Sequence, residues 1–237
     1  MHPILLKIGP ITIYSYGVMV ALGFTVSVIL ICKHAAGFNL DKDKMLDLAV
    51  IILLAGIIGA RILYVALNLK VYMADPIEIL KLSRGGLVWY GGFLSALFAA
   101  VFYIRKKGMD FWNVVDLIAP YTALAQAFGR IGCFLNGCCY GIDGLPAQIY
   151  SSILLFLIFV ILRLWQKRRR FAGEIFLGYC LLYCLKRFVI EFIRGDNPRI
   201  FLGLTISQIV SFVVFLAAAV LFTQKAIRWK KDRSGSK

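Results

Sequence analysis

Arginines and one lysine stand in this sequence where charge is costly. Arg61, Arg130, Arg163, Lys186 and Arg187 interrupt otherwise apolar runs. A cation at the centre of a membrane helix costs about 2.5–3.5 kcal/mol on insertion scales, so it needs a polar cavity or a partner. Arg163 stands near the end of its run and can reach water with its long stem. The others need a reason. Guanidinium pairs well with phosphate, so several arginines at one depth point to a site for an anionic group. Glu191, four residues after Arg187, is placed to orient it; the same spacing also fits an ordinary helix-surface pair.

A second concentration runs Gly129-Arg130-Ile131-Gly132-Cys133-Phe134-Leu135-Asn136-Gly137-Cys138-Cys139-Tyr140-Gly141. It puts a cation, an amide and three thiols within thirteen residues. The cysteine spacing is not a CxxC pair, and the two histidines, His2 and His34, lie elsewhere; no metal and no cofactor are expected. A disulfide suits the loop if it faces an oxidising compartment. Arg130 would lower the pKa of a neighbouring thiol, but no histidine base stands beside it for a catalytic cysteine. Cys180 and Cys184, one turn apart, are expected to pack. Gly85–Gly86 and Gly91–Gly92 bracket Trp89 and Tyr90, either as turns and close packing or to let backbone approach a ligand. Tyr16, Trp89 and Tyr90 also suit an interfacial aromatic belt.

The elements that must hold these residues are membrane helices. The 237 residues are 61% hydrophobic, with mean hydropathy +0.82; soluble domains run nearer 45–50% apolar. Apolar runs of roughly 18 or more residues read as membrane spans. Seven are expected: Ile13–Ile31, Leu46–Leu67, Leu87–Ile104, Phe111–Ile131, Ala147–Trp165, Glu174–Ile193 and Leu204–Thr223. The stretch Pro76–Leu82 is too short to cross and fits an interfacial turn. The expected fold is all-α, a polytopic helix bundle forming one domain over 1–237, with a polar cytoplasmic tail over 226–237. No removable signal peptide is expected, since Met1–Pro10 carries Lys7 as its only basic residue.

The net charge of +15 would suggest nucleic acid in a soluble protein. Here the basic clusters flank apolar spans, so they mark cytoplasmic loops and touch anionic lipid, and no nucleic-acid partner is expected. With the N-terminus outside, the inner loops and tail carry 16 Lys and Arg: Lys33, Lys42, Lys44, Arg105, Lys106, Lys107, Lys167, Arg168, Arg169, Arg170, Lys225, Arg228, Lys230, Lys231, Arg233 and Lys237. The outer segments carry 6: Lys7, Lys70, Lys81, Arg84, Arg194 and Arg199. The positive-inside rule then gives N-out, C-in. On that orientation the second, fourth and sixth spans run outward, which brings Arg61, Arg130 and Arg187, with Glu191 and Arg194, toward the outer leaflet.

The sequence resembles the bacterial prolipoprotein diacylglyceryl transferases over nearly its whole length. The resemblance rests on His2-Pro3, Ile8-Gly9-Pro10, Tyr16-Gly17, Leu22-Gly23-Phe24, Gly59-Ala60-Arg61 with Tyr64, and Gly85 to Gly92. It continues through Gly129-Arg130-Ile131-Gly132 with Phe134, Asn136-Gly137 and Gly141, then Tyr183, Arg187-Phe188, Glu191-Phe192, Arg194, Asp196 and Gln208.

That resemblance implies an enzyme of the bacterial plasma membrane with its active site toward the outer face. Such an enzyme transfers diacylglyceryl from phosphatidylglycerol to the lipobox cysteine thiol of prolipoprotein signal peptides. A thioether forms and glycerol phosphate leaves. Arg130, Arg187 and Tyr90 are the catalytic candidates; Arg61, Tyr16, Asn136, Tyr183, Glu191 and Arg194 are the substrate-binding ones. The chain departs from the family pattern at Tyr90, where many members carry histidine, and at Cys133 and Cys138, where many carry Asn and Glu. A family paralogue with another acceptor fits these departures. A second reading is an anion or lipid transporter; it would continue polar residues into the inner halves of the spans, where few stand apart from Asp47 and Asp116. A third, a non-catalytic lipid-binding scaffold, would explain the arginines but not so many outer-face polar groups.

Overall fold

The computed structural model describes residues 2–8, 11–80, 86–199 and 203–235. Met1, Gly9, Pro10, Lys81, Leu82, Arg84, Gly85 and Lys237, which enter the sequence reading, lie outside the described residues. The described residues are mainly helical, as expected, with an N-terminal hairpin. Strands β1 (Ile4–Ile8) and β2 (Ile11–Tyr14) pair antiparallel. The helices are α1 (Ser15–His34), α2 (Lys42–Leu67), the short α3 (Leu69–Ala74), α4 (Trp89–Lys106), α5 (Phe111–Asn136), α6 (Ala147–Gln166), α7 (Glu174–Glu191) and α8 (Ile206–Gly235).

Seven of these are 18 residues or longer, and each overlaps one expected span. Among the described residues, four stretches are long and apolar enough to cross a membrane: Ser15–Phe38, Lys42–Leu67, Ala147–Gln166 and Ile206–Ser234. Some ends differ from the sequence expectation. Ile13 belongs to β2 rather than to the first helix, because the consecutive β-branched residues Ile11-Thr12-Ile13 favour a pleated partner over a helix. The fourth helix continues to Asn136, so Cys133 and Asn136 are helical rather than part of a loop. The expected tail extends α8 to Gly235.

The chain divides into two compact units, 1–34 with 112–237, and 35–111. In the larger unit, Ala119, Ala123, Ile158, Leu162 and Ile175 form a buried apolar cluster between α5, α6 and α7. Polar bolts fix the register around it. Pro120 lies inside α5 and has no N–H to give the Asp116 carbonyl; the Gln166 side chain donates to that carbonyl instead, at 2.8 Å. The buried Asp116 carboxylate accepts from the amides of Gly173 at 2.7 Å and Phe176 at 2.8 Å, capping the start of α7 from a neighbouring helix. Gly173 has φ +96°, and a Cβ there would lie 2.6 Å from the Trp112 ring. At the other helix junction, Thr205 and Gln208 form a reciprocal capping box for α8. Gln208 Oε1 accepts from the Thr205 amide at 3.0 Å, and Thr205 Oγ1 from the Gln208 amide at 3.3 Å.

In the smaller unit, α2 and α4 approach through small residues. A Cβ on Gly59 would lie 2.7 Å from the Gly91 carbonyl, and one on Gly92 would lie 2.8 Å from the Gly56 carbonyl. Gly91 and Gly92 therefore serve close helix packing, the plainer of the two roles open from sequence. Tyr103 donates to Asp47 Oδ2 at 2.9 Å across the same pair.

Candidate functional site

In the larger unit, α5 and α7 carry cations to a common region. Tyr179 of α7 donates to Gln126 of α5 at 3.1 Å. One turn further along α5 stands Arg130, and one turn further along α7 stands Tyr183. Lys186, 5% exposed, sits with its ammonium 5.1 Å from the Tyr183 ring centroid. It feels the positive charges of Arg130, Arg187 and Arg194 and the negative charge of Glu191. Three arginines and this lysine thus share one region. Arg130 makes no hydrogen bond or ion pair to the described residues, so its guanidinium is uncommitted.

Arg187 and Arg194 are held by an acid that is itself buried. Glu191 Oε2 lies 3.3 Å from Arg187 Nη2 and 4.0 Å from Arg194 Nε. Its Oε1 accepts from Asn197 Nδ2 at 2.5 Å and from Thr205 Oγ1 at 2.9 Å. Arg187 also donates to Ser207 Oγ at 2.8 Å. Arg194 grips Asp196 with two bonds, at 2.8 and 2.6 Å, and these bonds hold the Asp196 carboxyl below the usual range. Glu191 thus orients two arginines, and the ends of α7 and α8 are tied through it. Low-dielectric surroundings strengthen such charge-assisted bonds and fix the side chains they join.

The cysteine segment lies beside this cluster. It is pinned to the chain following α7: the Ile142 amide donates to the Ile193 carbonyl at 2.9 Å, and Gly141 bridges Arg194. Gln148 Nε2 donates to the Cys138 carbonyl at 2.8 Å. The Cys138 amide returns to the Cys133 carbonyl at 3.1 Å, closing the end of α5. Gly137 and Cys139 both have positive φ, 76° and 61°. The three sulfurs of Cys133, Cys138 and Cys139 come within 4.8 Å of one another. A hydrogen bond from Cys133 holds the Cys139 thiol below its ordinary pKa; burial opposes this, and the charges of Arg194 and Arg130 reinforce it.

Tyr16, at the start of α1, reaches the same place. Gly132 lets α1 approach α5: a Cβ on it would meet Met19 Cβ and Tyr16 Cδ2, each at 3.2 Å. Tyr16 feels the charges of Cys133, Cys138 and Arg130. Asn136 is exposed at the end of α5. The larger unit therefore gathers Tyr16, Arg130, Tyr183, Arg187, Glu191 and Arg194. Sequence reasoning had not placed Lys186, Asn197, Thr205 or Ser207 with them. Lys186 was visible as an intramembrane cation; the other three carried no signal of their own.

Arg61 and Tyr90 belong to the smaller unit. Arg61 is 7% exposed. It donates to the main-chain carbonyls of Ile79 at 2.9 Å, Glu78 at 2.7 Å and Gly86 at 3.2 Å. Its guanidinium lies 5.8 and 5.3 Å from the ring centroids of Tyr64 and Tyr72. Gly86 has φ +80°, and a Cβ there would strike Tyr64 and Arg61. Arg61 thus organises the chain that leads into α4. Tyr90 is 69% exposed at the start of α4 and packs edge-on to Trp89, ring centroids 5.3 Å apart.

Comparison with known proteins agrees in one direction. The family described as prolipoprotein diacylglyceryl transferase matches residues 3–224. The phosphatidylglycerol–prolipoprotein diacylglyceryl transferase of Clostridium tetani is 34% identical, covering 94% of this chain and 97% of its own. Transferase 2 of that name from Clostridium perfringens is 33% identical over 98% of each chain. The enzyme of that name from Enterococcus faecalis is 33% identical over 93% of this chain and 89% of its own.

Proposed function

The chain belongs to the prolipoprotein diacylglyceryl transferase family, and from that premise we propose that it moves the diacylglyceryl group of phosphatidylglycerol onto the lipobox cysteine of prolipoproteins, using the cation cluster around Arg130. It is a membrane transferase of lipoprotein maturation. The family match runs through both compact units, which supports reading 1–237 as one transferase domain. The charge count supports seven spans with the N-terminus out, and so an active site toward the outer face of the bacterial plasma membrane.

The observation that carries the reading is the uncommitted Arg130 guanidinium in a region it shares with Lys186, Arg187 and Arg194. The substrate is a lipid with an anionic phosphodiester. The acceptor sulfur forms a bond to the glyceryl carbon, and the bond from that carbon to phosphate oxygen breaks. The electron pair goes to the phosphate, which gains a second negative charge as glycerol phosphate leaves. Donors aimed at charge that develops only in the transition state lower the barrier most effectively. Arg130 and Arg187 take that role. Glu191 positions Arg187 and Arg194, and Tyr16, Tyr183 and Asn136 border the site. The thiol proton has a destination in the departing phosphate, whose second pKa is about 6. Tyr90, with an ordinary pKa near 10, is suited to orienting headgroup or thiol rather than to acting as base. Arg61 is assigned a supporting role in substrate binding; within its own unit it organises the chain that leads into α4.

A transporter would need a polar path through the inner halves of the helices. Asp116 is spent on capping α7 and Asp47 accepts from Tyr103, so neither acid supports such a path. The test is a reaction of purified protein, phosphatidylglycerol and a lipobox peptide, followed by peptide mass. A diacylglyceryl adduct with release of glycerol phosphate is expected. No adduct with any anionic lipid, together with lipid or anion passage across vesicles, would favour the transporter.

A further inference from the structure

We propose that Cys133, Cys138 and Cys139 form a three-thiolate site for a soft divalent cation of the zinc class, whose open fourth position takes the thiol of the acceptor peptide. The second half rests on the transferase reading above; the first half does not.

Sequence spacing alone argued against a metal, because no CxxC pair and no histidine is present. The fold supplies what the spacing lacks. Cys133 sits on the last turns of α5, and the chain reverses through Gly137 at φ 76° and Cys139 at φ 61°. A left-handed conformation is uncommon for a residue with a side chain, and here it re-aims one of two adjacent cysteines toward its neighbours. The result is three sulfurs mutually within 4.8 Å. Tetrahedral zinc with bonds of about 2.3 Å needs sulfurs about 3.8 Å apart. The three need to close by about 1 Å or less from where they stand, a change within reach of side-chain torsions. The scaffold is fixed on both sides, by the bonds of Cys138 and Ile142 to Gln148 and Ile193.

Charge and chemistry both favour the ion. Three thiolates and one divalent cation leave a net charge of −1, and the backbone of Arg194 bridges Gly141, two residues past Cys139. Thiolate ligands select soft ions, and a d¹⁰ ion with three protein ligands keeps one position open for reaction. Thiols this close at the outer face of the membrane would otherwise tend to oxidise.

The open position meets a need of the reaction. The acceptor must react as thiolate, and a free thiol has a pKa near 8.5; a thiol bound to such an ion is deprotonated outright. On binding, the acceptor S–H proton leaves to solvent. The S–C bond then forms as the C–O bond to phosphate breaks, and the uncharged thioether, a weak ligand, departs.

The experiment uses full-length protein in detergent micelles, loaded first with Zn²⁺ and then with Co²⁺. Expected are one zinc per chain by elemental mass spectrometry and a sulfur-to-cobalt charge-transfer band in the near ultraviolet. Cys133→Ser and Cys139→Ser should each weaken Zn²⁺ binding on the order of a hundred-fold or more. A lipobox peptide should shift the visible cobalt bands, and its Cys→Ser counterpart should not. The cation site is overturned by zinc content equal in wild type and both variants, or by a native disulfide among the three cysteines. A peptide-independent cobalt spectrum would overturn the acceptor role. Diacylglyceryl transfer, followed separately by peptide mass, can persist through each of those failures and tests the transferase reading by itself.

Discussion

Arg187 Nη2 and Glu191 Oε2 lie 3.3 Å apart, one turn apart on α7, and the carboxylate side chain has no exposed surface. The same oxygen is 4.0 Å from Arg194, while the other accepts from Asn197 and from Thr205 at the head of α8. One buried acid therefore fixes two arginines and joins two helices. Its value is positional. A buried pair is weak evidence for stability as a whole, but removing one partner leaves an uncompensated charge and costs about 3–5 kcal/mol.

Glu191→Ala is expected to lower thermal stability in detergent by several degrees and to loosen the α7–α8 junction. Glu191→Gln keeps a side-chain carbonyl for Asn197 and Thr205 and should lose less stability. It should still impair transfer, because Arg187 and Arg194 lose their counter-charge. Unfolding curves and transfer rates measured on both variants separate the two effects.

Arg187→Ala should cut transfer by about 10²–10³-fold, the usual loss when one donor to a developing anion is removed. Ser207→Ala removes only a bond that steadies Arg187, so its effect should stay within about ten-fold, the scale of one ordinary hydrogen bond. Rates with saturating phosphatidylglycerol check the ranking.

Arg61→Lys should act on structure before it acts on chemistry. Lysine cannot reproduce a planar fork that serves three carbonyls and lies near two tyrosines. Faster hydrogen exchange is expected at the Val88 amide, which bonds the Ala60 carbonyl. Unchanged exchange with reduced transfer would move Arg61 into direct substrate contact.

Gly59→Leu should separate α2 from α4, since even a Cβ at Gly59 crowds Gly91 and Ser95. Overpacking of this kind costs about 1–3 kcal/mol. A thermal melt of the variant checks it, and Gly17→Ala, which meets nothing within 4 Å, serves as the neutral control.

The helices were legible in the sequence because an apolar run of membrane length has few alternatives. Their ends were less so. Hydropathy cannot see that Ile11 to Ile13 would rather pair with Leu6 to Ile8, nor that α5 carries Cys133 and Asn136 past the apolar run. Insertion cost singled out Arg61, Arg130 and Arg187 alike, but cost is blind to what answers the charge. Arg61 is answered by main-chain carbonyls, Arg187 by Glu191 and Ser207, and Arg130 by none of the described residues. Spacing along the chain also hid the cysteine cluster, because it forms only when two left-handed residues reverse the chain.

The central claim is that Arg130 stabilises the phosphate as it departs. The most direct measurement is the rate at which Arg130→Ala, purified and shown to melt like wild type, transfers diacylglyceryl from phosphatidylglycerol to a lipobox peptide. The account predicts a loss of about 10²-fold or more, partly restored in Arg130→Lys, which returns the charge without the fork. A rate for Arg130→Ala within about two-fold of wild type would contradict it.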